Sequence, residues 1–148
     1  MAKDTINRLM VELHVPDFNV VLDFYGKLGF KKVYHRKETI DAEYLVMERA
    51  GTILNFWPGN DKSGDHSYFK RFPKGSPRGY GVEIVIPVDD IEAYYQQVRQ
   101  CATVVSELKL RPWGVKDFRI ADPFGFYLRI TERHDILNPN YGWPNSDD

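Results

Sequence analysis

The sequence has little that ties it to a membrane, a nucleic acid or an oxidising compartment. Its 148 residues include one cysteine, Cys101, which excludes an intrachain disulfide and a cluster of thiolate metal ligands. The 20 Lys and Arg residues are balanced by 21 Asp and Glu residues. The resulting net charge of −1 argues against polycationic binding of nucleic acid or of an anionic membrane. No apolar run reaches the roughly 18 to 20 residues of a membrane span, and the first residues lack the apolar stretch of a signal peptide. We therefore expect a cytoplasmic protein without nucleic-acid or membrane partners.

The chain does contain an internal repeat. Residues 11–16, VELHVP, recur as residues 82–87, VEIVIP, at an offset of 71. Each copy continues into an acidic residue and a helical spacing of apolar residues, and ends in segments rich in β-branched and aromatic residues. The end segments align at an offset of 74, where residues 44–51 match residues 118–125. Each copy therefore predicts the order βαβββ.

These patterns predict one domain over residues 1–148 and an α+β fold. We expect two tandem βαβββ modules, at 8–57 and 81–132, whose curved mixed sheets form a concave cleft. The segment 58–80 is rich in Gly, Pro, Lys and Ser and is predicted as a linker or lid, and residues 133–148 as a C-terminal tail. Modules of about 60 residues are marginal alone, so the two are expected to share or pair their sheets.

The alternation of side chains along the strands separates a helix-covered face from a second face. The side chains on the second face include several that are unusual for a hydrophobic core: Glu12, His14, Asn55, Trp57, Glu83, Tyr127 and Arg129. Because unpaired charge is costly to bury, this face is expected to be exposed or to line a wet pocket. Large aromatic residues over such a pocket suit a planar organic ligand. We predict these seven residues, with Trp113 from a loop, as the ligand-binding set.

Two motifs carry a resemblance to a known family. Residues 23–30 read DFYGKLGF after Val15-Pro16-Asp17, and residues 120–128 read IADPFGFYL. Together with the repeat they resemble the vicinal oxygen chelate superfamily, which includes glyoxalases, bleomycin resistance proteins and dioxygenases, over about residues 8–132. Residues 111–114, RPWG, are most similar to the bleomycin resistance branch.

The resemblance implies a cleft that, in metal-dependent members, holds a divalent ion on one position in the first and last strand of each module. By motif spacing those positions are Met10, Asn55, Gly81 and Arg129. A thioether, an amide, a glycine and a permanent cation do not make a hard, oxygen-rich site, so we predict no metal and no other cofactor. The bleomycin resistance branch further implies a homodimer with ligand grooves between protomers.

The first functional hypothesis is therefore a metal-free protein that sequesters a small, antibiotic-like molecule bearing an aromatic group. The resemblance implies strongly acidic bleomycin-sequestering proteins, and the near-neutral charge of this chain favours another ligand. The alternative is a lyase, isomerase or dioxygenase that uses Glu12, His14 and Glu83 as acid, base or displaced metal ligands. A third class is a pure interaction module. We also predict that either Glu12 or Glu83 pairs with Arg129, while the other is hydrated.

Overall fold

The two copies of the repeat fold as two sheets. The structure is a computed structural model and describes residues 9–37, 43–58, 66–134 and 137. The first copy contains β1 (Glu12–Val15), α1 (Phe18–Lys27), β2 (Lys31–Arg36), β3 (Tyr44–Arg49) and β4 (Thr52–Pro58). The second contains β5 (Glu83–Val88), α2 (Ile91–Val98), β6 (Thr103–Leu110), β7 (Lys116–Ala121) and β8 (Tyr127–Glu132). The chain divides into compact units at residues 1–76 and 77–148, and the predicted α+β class and βαβββ order are confirmed.

Both sheets have the same mixed topology. The strand orders are β1-β4-β3-β2 and β5-β8-β7-β6. The first and last strands of each copy are parallel neighbours, and the remaining pairs are antiparallel. Glu12 lies opposite Asn55, and Glu83 lies opposite Tyr127. The topology therefore places the predicted site residues of each module on adjacent strands.

The helices begin at acidic caps, as the sequence predicts. The Asp17 carboxylate accepts the N–H of Asn19 at 2.8 Å, and the Asp90 carboxylate accepts the N–H of Ala93 at 3.4 Å. Such caps satisfy backbone donors that the first helical turn leaves without partners. Among the described residues, no helix combines the length and apolar character needed to cross a membrane.

Each helix covers one face of its own sheet, which we call the helix face. Tyr25 of α1 packs on Phe56 with ring centroids 5.2 Å apart, and Tyr95 of α2 packs on Phe118 at 4.9 Å. Along most strands, buried residues on the helix face alternate with more exposed residues on the opposite face, as expected for a sheet that is covered on one side. The opposite face of each sheet, called the far face, carries the predicted site residues.

The β3–β4 and β7–β8 hairpins have turns of different length. The first turn consists of Ala50 and Gly51, both with positive φ (47° and 86°), as a two-residue type I′ turn requires. In the second hairpin the N–H of Asp122 donates to the carbonyl of Phe126 at 2.9 Å, which encloses three residues. The second turn is therefore one residue longer.

This extra residue makes the predicted alignment wrong for β3 and β7. At an offset of 74, Tyr44 would match Phe118, but Phe118 is fully buried on the helix face and Tyr44 lies on the far face. Leu45 and Phe118, 73 positions apart, are the equivalent buried residues. A slip of one residue moves every side chain of a strand to the other face. The offset of 74 remains correct for β4 and β8, where Leu54 and Leu128 are both buried.

Part of the predicted linker 58–80 is structured. Residues 59–65 lie outside the described residues, and Phe69–Arg71 form a short 3₁₀ helix within the first unit. The His66 imidazole accepts the N–H groups of Tyr68 and Phe69 at 3.1 and 3.2 Å. Of the predicted tail, residues 135–136 and 138–148 lie outside the described residues.

Candidate functional site

The far face of the first sheet carries an aromatic cluster beside a carboxylate. Tyr44 meets Trp57 edge-on with ring centroids 5.9 Å apart, and its hydroxyl donates to Glu12 Oε2 at 3.5 Å. Burial, followed by the charge of Glu12, raises the pKa of Tyr44 above its usual value. We call Glu12, Tyr44 and Trp57 the aromatic cluster. Tyr44 is missing from the predicted site, and the offset of 74 aligned it with Phe118, which is buried on the helix face.

Two predicted ligand residues of the first module have structural partners. Asn55 is 5% exposed, and its Nδ2 donates to the Val11 carbonyl at 3.3 Å, so the amide ties β4 to β1. The His14 ring meets Phe69 at 4.9 Å and His66 at 5.4 Å, edge-on in both cases. His14 therefore packs against the segment of the 3₁₀ helix.

The far face of the second sheet carries three charged side chains, called the charged cluster: Glu83, Arg119 and Arg129. Glu83 Oε1 lies 3.7 Å from Arg129 Nε and 3.9 Å from Arg119 Nε. The predicted ion pair between a repeat-related glutamate and Arg129 is thus confirmed for Glu83. Sequence reasoning missed Arg119, although its position between the apolar residues Phe118 and Ile120 indicates the face opposite to theirs.

A buried ion pair lies beside the charged cluster. Arg111 Nε donates to Asp117 Oδ1 at 2.5 Å, and the two side chains are 9% and 0% exposed. Arg111 also donates through Nη2 to Ser106 Oγ at 3.0 Å, and its backbone N–H donates to the Val115 carbonyl at 2.8 Å. These bonds fix the turn that carries Trp113, which is half-buried.

Tyr127 completes the second far face. It lies opposite Glu83 on the parallel pair β5–β8, and its hydroxyl oxygen accepts from Arg119 Nη1 at 3.4 Å. This hydrogen bond is the main cause of a raised pKa of Arg119. The guanidinium is therefore charged at any ordinary pH.

The residues at the implied metal positions do not fit a divalent ion. Met10 is 73% exposed and precedes β1, and Gly81 lies in a turn with φ 81° before β5, so neither belongs to the strands as predicted. The Asn55 amide bonds to the backbone, and Arg129 is a permanent cation paired with Glu83. Throughout the described ranges, no group of three His, Cys, Asp or Glu residues could hold a metal ion.

A cavity of about 650 Å³ lies away from the predicted ligand residues. It borders the start of α1 and includes His35, whose side chain is 8% exposed and whose Nε2 lies 2.9 Å from Glu43 Oε1. None of the eight predicted ligand residues lines it. The predicted site and this cavity are therefore separate features.

Comparison with known proteins agrees with the fold and the repeat. A family model of the glyoxalase/bleomycin resistance protein/dioxygenase superfamily matches residues 5–130. The chain belongs to this superfamily. No curated protein matches it in sequence.

Several crystal structures share the superfamily fold with this chain. TioX from Micromonospora sp. ML1 has a TM-score of 0.63 and 16% identity, covering 89% of this chain and 100% of TioX. A bleomycin resistance determinant encoded on the transposon Tn5 has a TM-score of 0.62 and 20% identity, covering 88% and 100%. A bleomycin-binding protein complexed with bleomycin has a TM-score of 0.59 and 20% identity, covering 87% and 100%. Because the sequence identities are this low, the structural similarity shows a shared fold and nothing more.

Proposed function

We propose that this superfamily member is a homodimer that binds and sequesters a small organic molecule with an aromatic ring, without a metal ion. The aromatic cluster is the observation that carries the proposal. Trp57 and Tyr44 offer a large, stiff apolar surface, and Glu12 adds a polar contact at its edge. Aromatic side chains bury much area and lose little conformational entropy on binding.

The donor chemistry supports binding without a metal. A thioether outside the strands, a backbone-bound amide, a glycine and a guanidinium stand at the implied ligand positions. Divalent ions of this superfamily's kind require several oxygen or imidazole donors. Metal analysis of the purified protein should find no stoichiometric ion.

The homodimer and the sequestering role rest on the likeness to the bleomycin resistance branch. Two structures with the same fold are named for bleomycin resistance or binding. The near-neutral charge favours a ligand other than bleomycin, so the proposal names an aromatic ligand in general. Sedimentation equilibrium should give a mass of two chains.

Isothermal titration calorimetry with neutral naphthalene carboxamide, and with bleomycin for comparison, tests the binding role. The carboxamide should bind saturably to the wild type, and Trp57→Ala should weaken its binding about 10- to 100-fold, as expected for an aromatic anchor. Tyr80→Ala is the matched control, because its ring is 90% exposed and outside the predicted site. It should bind like the wild type.

Two results would contradict the proposal. One is the absence of saturable binding by either probe at concentrations that saturate known binders of this size. The other is equal binding by wild type and a folded Trp57→Ala variant. Circular dichroism melting of both variants establishes that they are folded.

The enzymatic alternative keeps Glu12, His14 and Glu83 as its candidates. The ion pairs of Glu83 with two guanidinium groups and the packing of His14 against Phe69 favour a binding role for these residues. A turnover of any glyoxalase or dioxygenase substrate that is lost in Glu12→Gln and Glu83→Gln would support the alternative. A turnover that persists unchanged in both variants would exclude these residues from the chemistry.

A further inference from the structure

Arg119 and Arg129 stand directly opposite each other on the antiparallel strands β7 and β8. Both side chains lie on the far face. Like charges at opposed positions destabilise a sheet, so this pair costs stability unless other groups offset it.

The carboxylates nearby offset the two guanidinium groups incompletely. Glu83 lies 3.7 Å from Arg129 Nε and 3.9 Å from Arg119 Nε, which is an ion-pair distance but too long for a hydrogen bond. Asp117 lies 3.7 Å from Arg119 Nε, yet its Oδ1 already accepts the short bond from Arg111. Three guanidinium groups thus share two carboxylates.

The two guanidinium groups also have unused donors. Arg119 Nε and Arg129 Nε are buried, and among the described residues neither has a hydrogen-bond partner. Both side chains remain partly open, at 22% and 25% exposed. A guanidinium presents five N–H donors in a planar fork, which matches the two oxygens of a carboxylate.

We propose that Arg119 and Arg129 of the second module bind the carboxylate group of a small organic acid. The inference rests on the proposed binding function and adds to it a carboxylate-recognising site on the second module. The ligand carboxylate supplies the missing negative charge and accepts N–H donors from the open part of the two side chains, while the buried Nε groups stay beside Glu83. Glu83 then acts as the internal counter-ion that partly neutralises the pair when the ligand is absent.

Two matched probes test the proposal by calorimetry: naphthalene carboxylate and naphthalene carboxamide. They share the ring and differ in charge. The wild type should bind the carboxylate about 10-fold or more tightly than the carboxamide, as charge-assisted hydrogen bonds predict. The preference should shrink as salt concentration rises.

Substitutions assign the preference to the pair. Arg119→Gln and Arg129→Gln should each lower carboxylate affinity towards that of the carboxamide and leave carboxamide affinity unchanged. Arg133→Gln is the control, because Arg133 forms an exposed ion pair with Asp89 and is 73% exposed. Its carboxylate preference should equal that of the wild type.

Glu83→Gln should raise the carboxylate affinity, whereas the arginine substitutions lower it. Removing the internal carboxylate leaves the guanidinium groups without their main counter-ion, so carboxylate affinity should rise several-fold while carboxamide affinity stays constant. A gain of affinity cannot arise from misfolding. No gain in the folded Glu83→Gln variant would overturn the role given to Glu83 and with it the proposal.

The outcomes separate this inference from the general binding role. Equal binding of both probes to the wild type overturns the carboxylate site and leaves aromatic binding intact. If neither probe binds, inorganic phosphate serves as a second probe. A rise in melting temperature with phosphate that is lost in Arg119→Gln would support an oxyanion site and contradict aromatic binding, and no rise would overturn both.

Discussion

Arg111 and Asp117 form an ion pair in which both partners are buried. The nitrogen and oxygen are 2.5 Å apart, and the Asp117 side chain has no solvent exposure. The pair joins the first residue of the RPWG turn to β7, next to Arg119. It therefore supports both the turn of Trp113 and the charged cluster.

Asp117→Asn should destabilise the protein by about 3 to 5 kcal/mol, because it leaves the buried Arg111 guanidinium without its counter-charge. Urea denaturation followed by circular dichroism measures the change. The matched control is Glu92→Gln, which breaks an ion pair with Lys116 of the same length whose side chains are 55% and 42% exposed. Water screens that pair, so the control should lose far less. Equal losses of stability in the two variants would show that burial does not determine how much an ion pair contributes.

Gly79→Ala should be more destabilising than Gly81→Ala. Both glycines have positive φ, 73° and 81°, where an L residue costs about 1 to 2 kcal/mol. A Cβ at Gly79 would also lie 2.8 Å from Phe126 Cδ1, whereas at Gly81 it meets nothing within 4 Å. The clash with a buried ring should add about 1 to 3 kcal/mol, measured as the difference between the two urea midpoints. Identical midpoints would contradict the close contact.

Asp122→Ala should cost about 2 to 4 kcal/mol, because Asp122 Oδ1 accepts the N–H groups of Phe124 and Phe126 at 2.9 and 2.8 Å. Asp122 is 5% exposed, so water cannot readily replace the lost acceptor. Asp17→Ala, which removes a single exposed helix cap, should cost about 1 kcal/mol. Thermal melts rank the two variants by their loss of stability. A smaller loss for Asp122→Ala than for Asp17→Ala would contradict this explanation.

Ionisation of Tyr44 should weaken the fold at alkaline pH. The folded protein holds this proton more tightly than the unfolded chain, whose ordinary pKa is 10.0. The contribution is therefore complete below that pH and is lost as the pH rises through the higher folded value. The stability difference between wild type and Tyr44→Phe should be constant below the ordinary pKa and shift in favour of Tyr44→Phe above it.

Glu12→Gln tests the cause of that pH dependence. The carboxylate of Glu12 is the second contribution to the raised pKa, after burial. Its removal should bring the alkaline loss of stability closer to that of Tyr44→Phe, measured by urea denaturation over a series of pH values. An alkaline profile identical to that of the wild type would leave burial as the only cause.

Local features of the fold were predictable from the sequence. The caps Asp17 and Asp90 and the apolar spacing around Tyr25 and Tyr95 depend on residues within one or two turns of helix. The repeat placed Glu12 and Glu83 correctly on the far faces, although their registers differ by two residues: Glu12 lies opposite Asn55, and Val85 lies opposite Arg129, the counterpart of Asn55. Such features need no knowledge of strand pairing.

The missed part of the site depends on pairing between distant strands. Tyr44 and Arg119 reach the far face through the third strand of each module, and the face of that strand is set by the length of the turn after it. The sequence shows a glycine in both turns, at Gly51 and Gly125, but not that the second turn has one more residue. Aligning the glycines therefore matched residues of β3 and β7 that lie on opposite faces of their sheets.

The unequal turns show how a duplicated fold absorbs an insertion without changing its core. The residue added at the second hairpin tip is taken up in the turn, so Leu45 of β3 and Phe118 of β7 both face the helices and β4 and β8 stay in step. The aromatic residues of the first module and the charged residues of the second then evolve on equivalent scaffolds under different constraints. A tandem duplication can thus keep one packing scheme in its core while substitutions on the far face give its two copies chemically distinct surfaces.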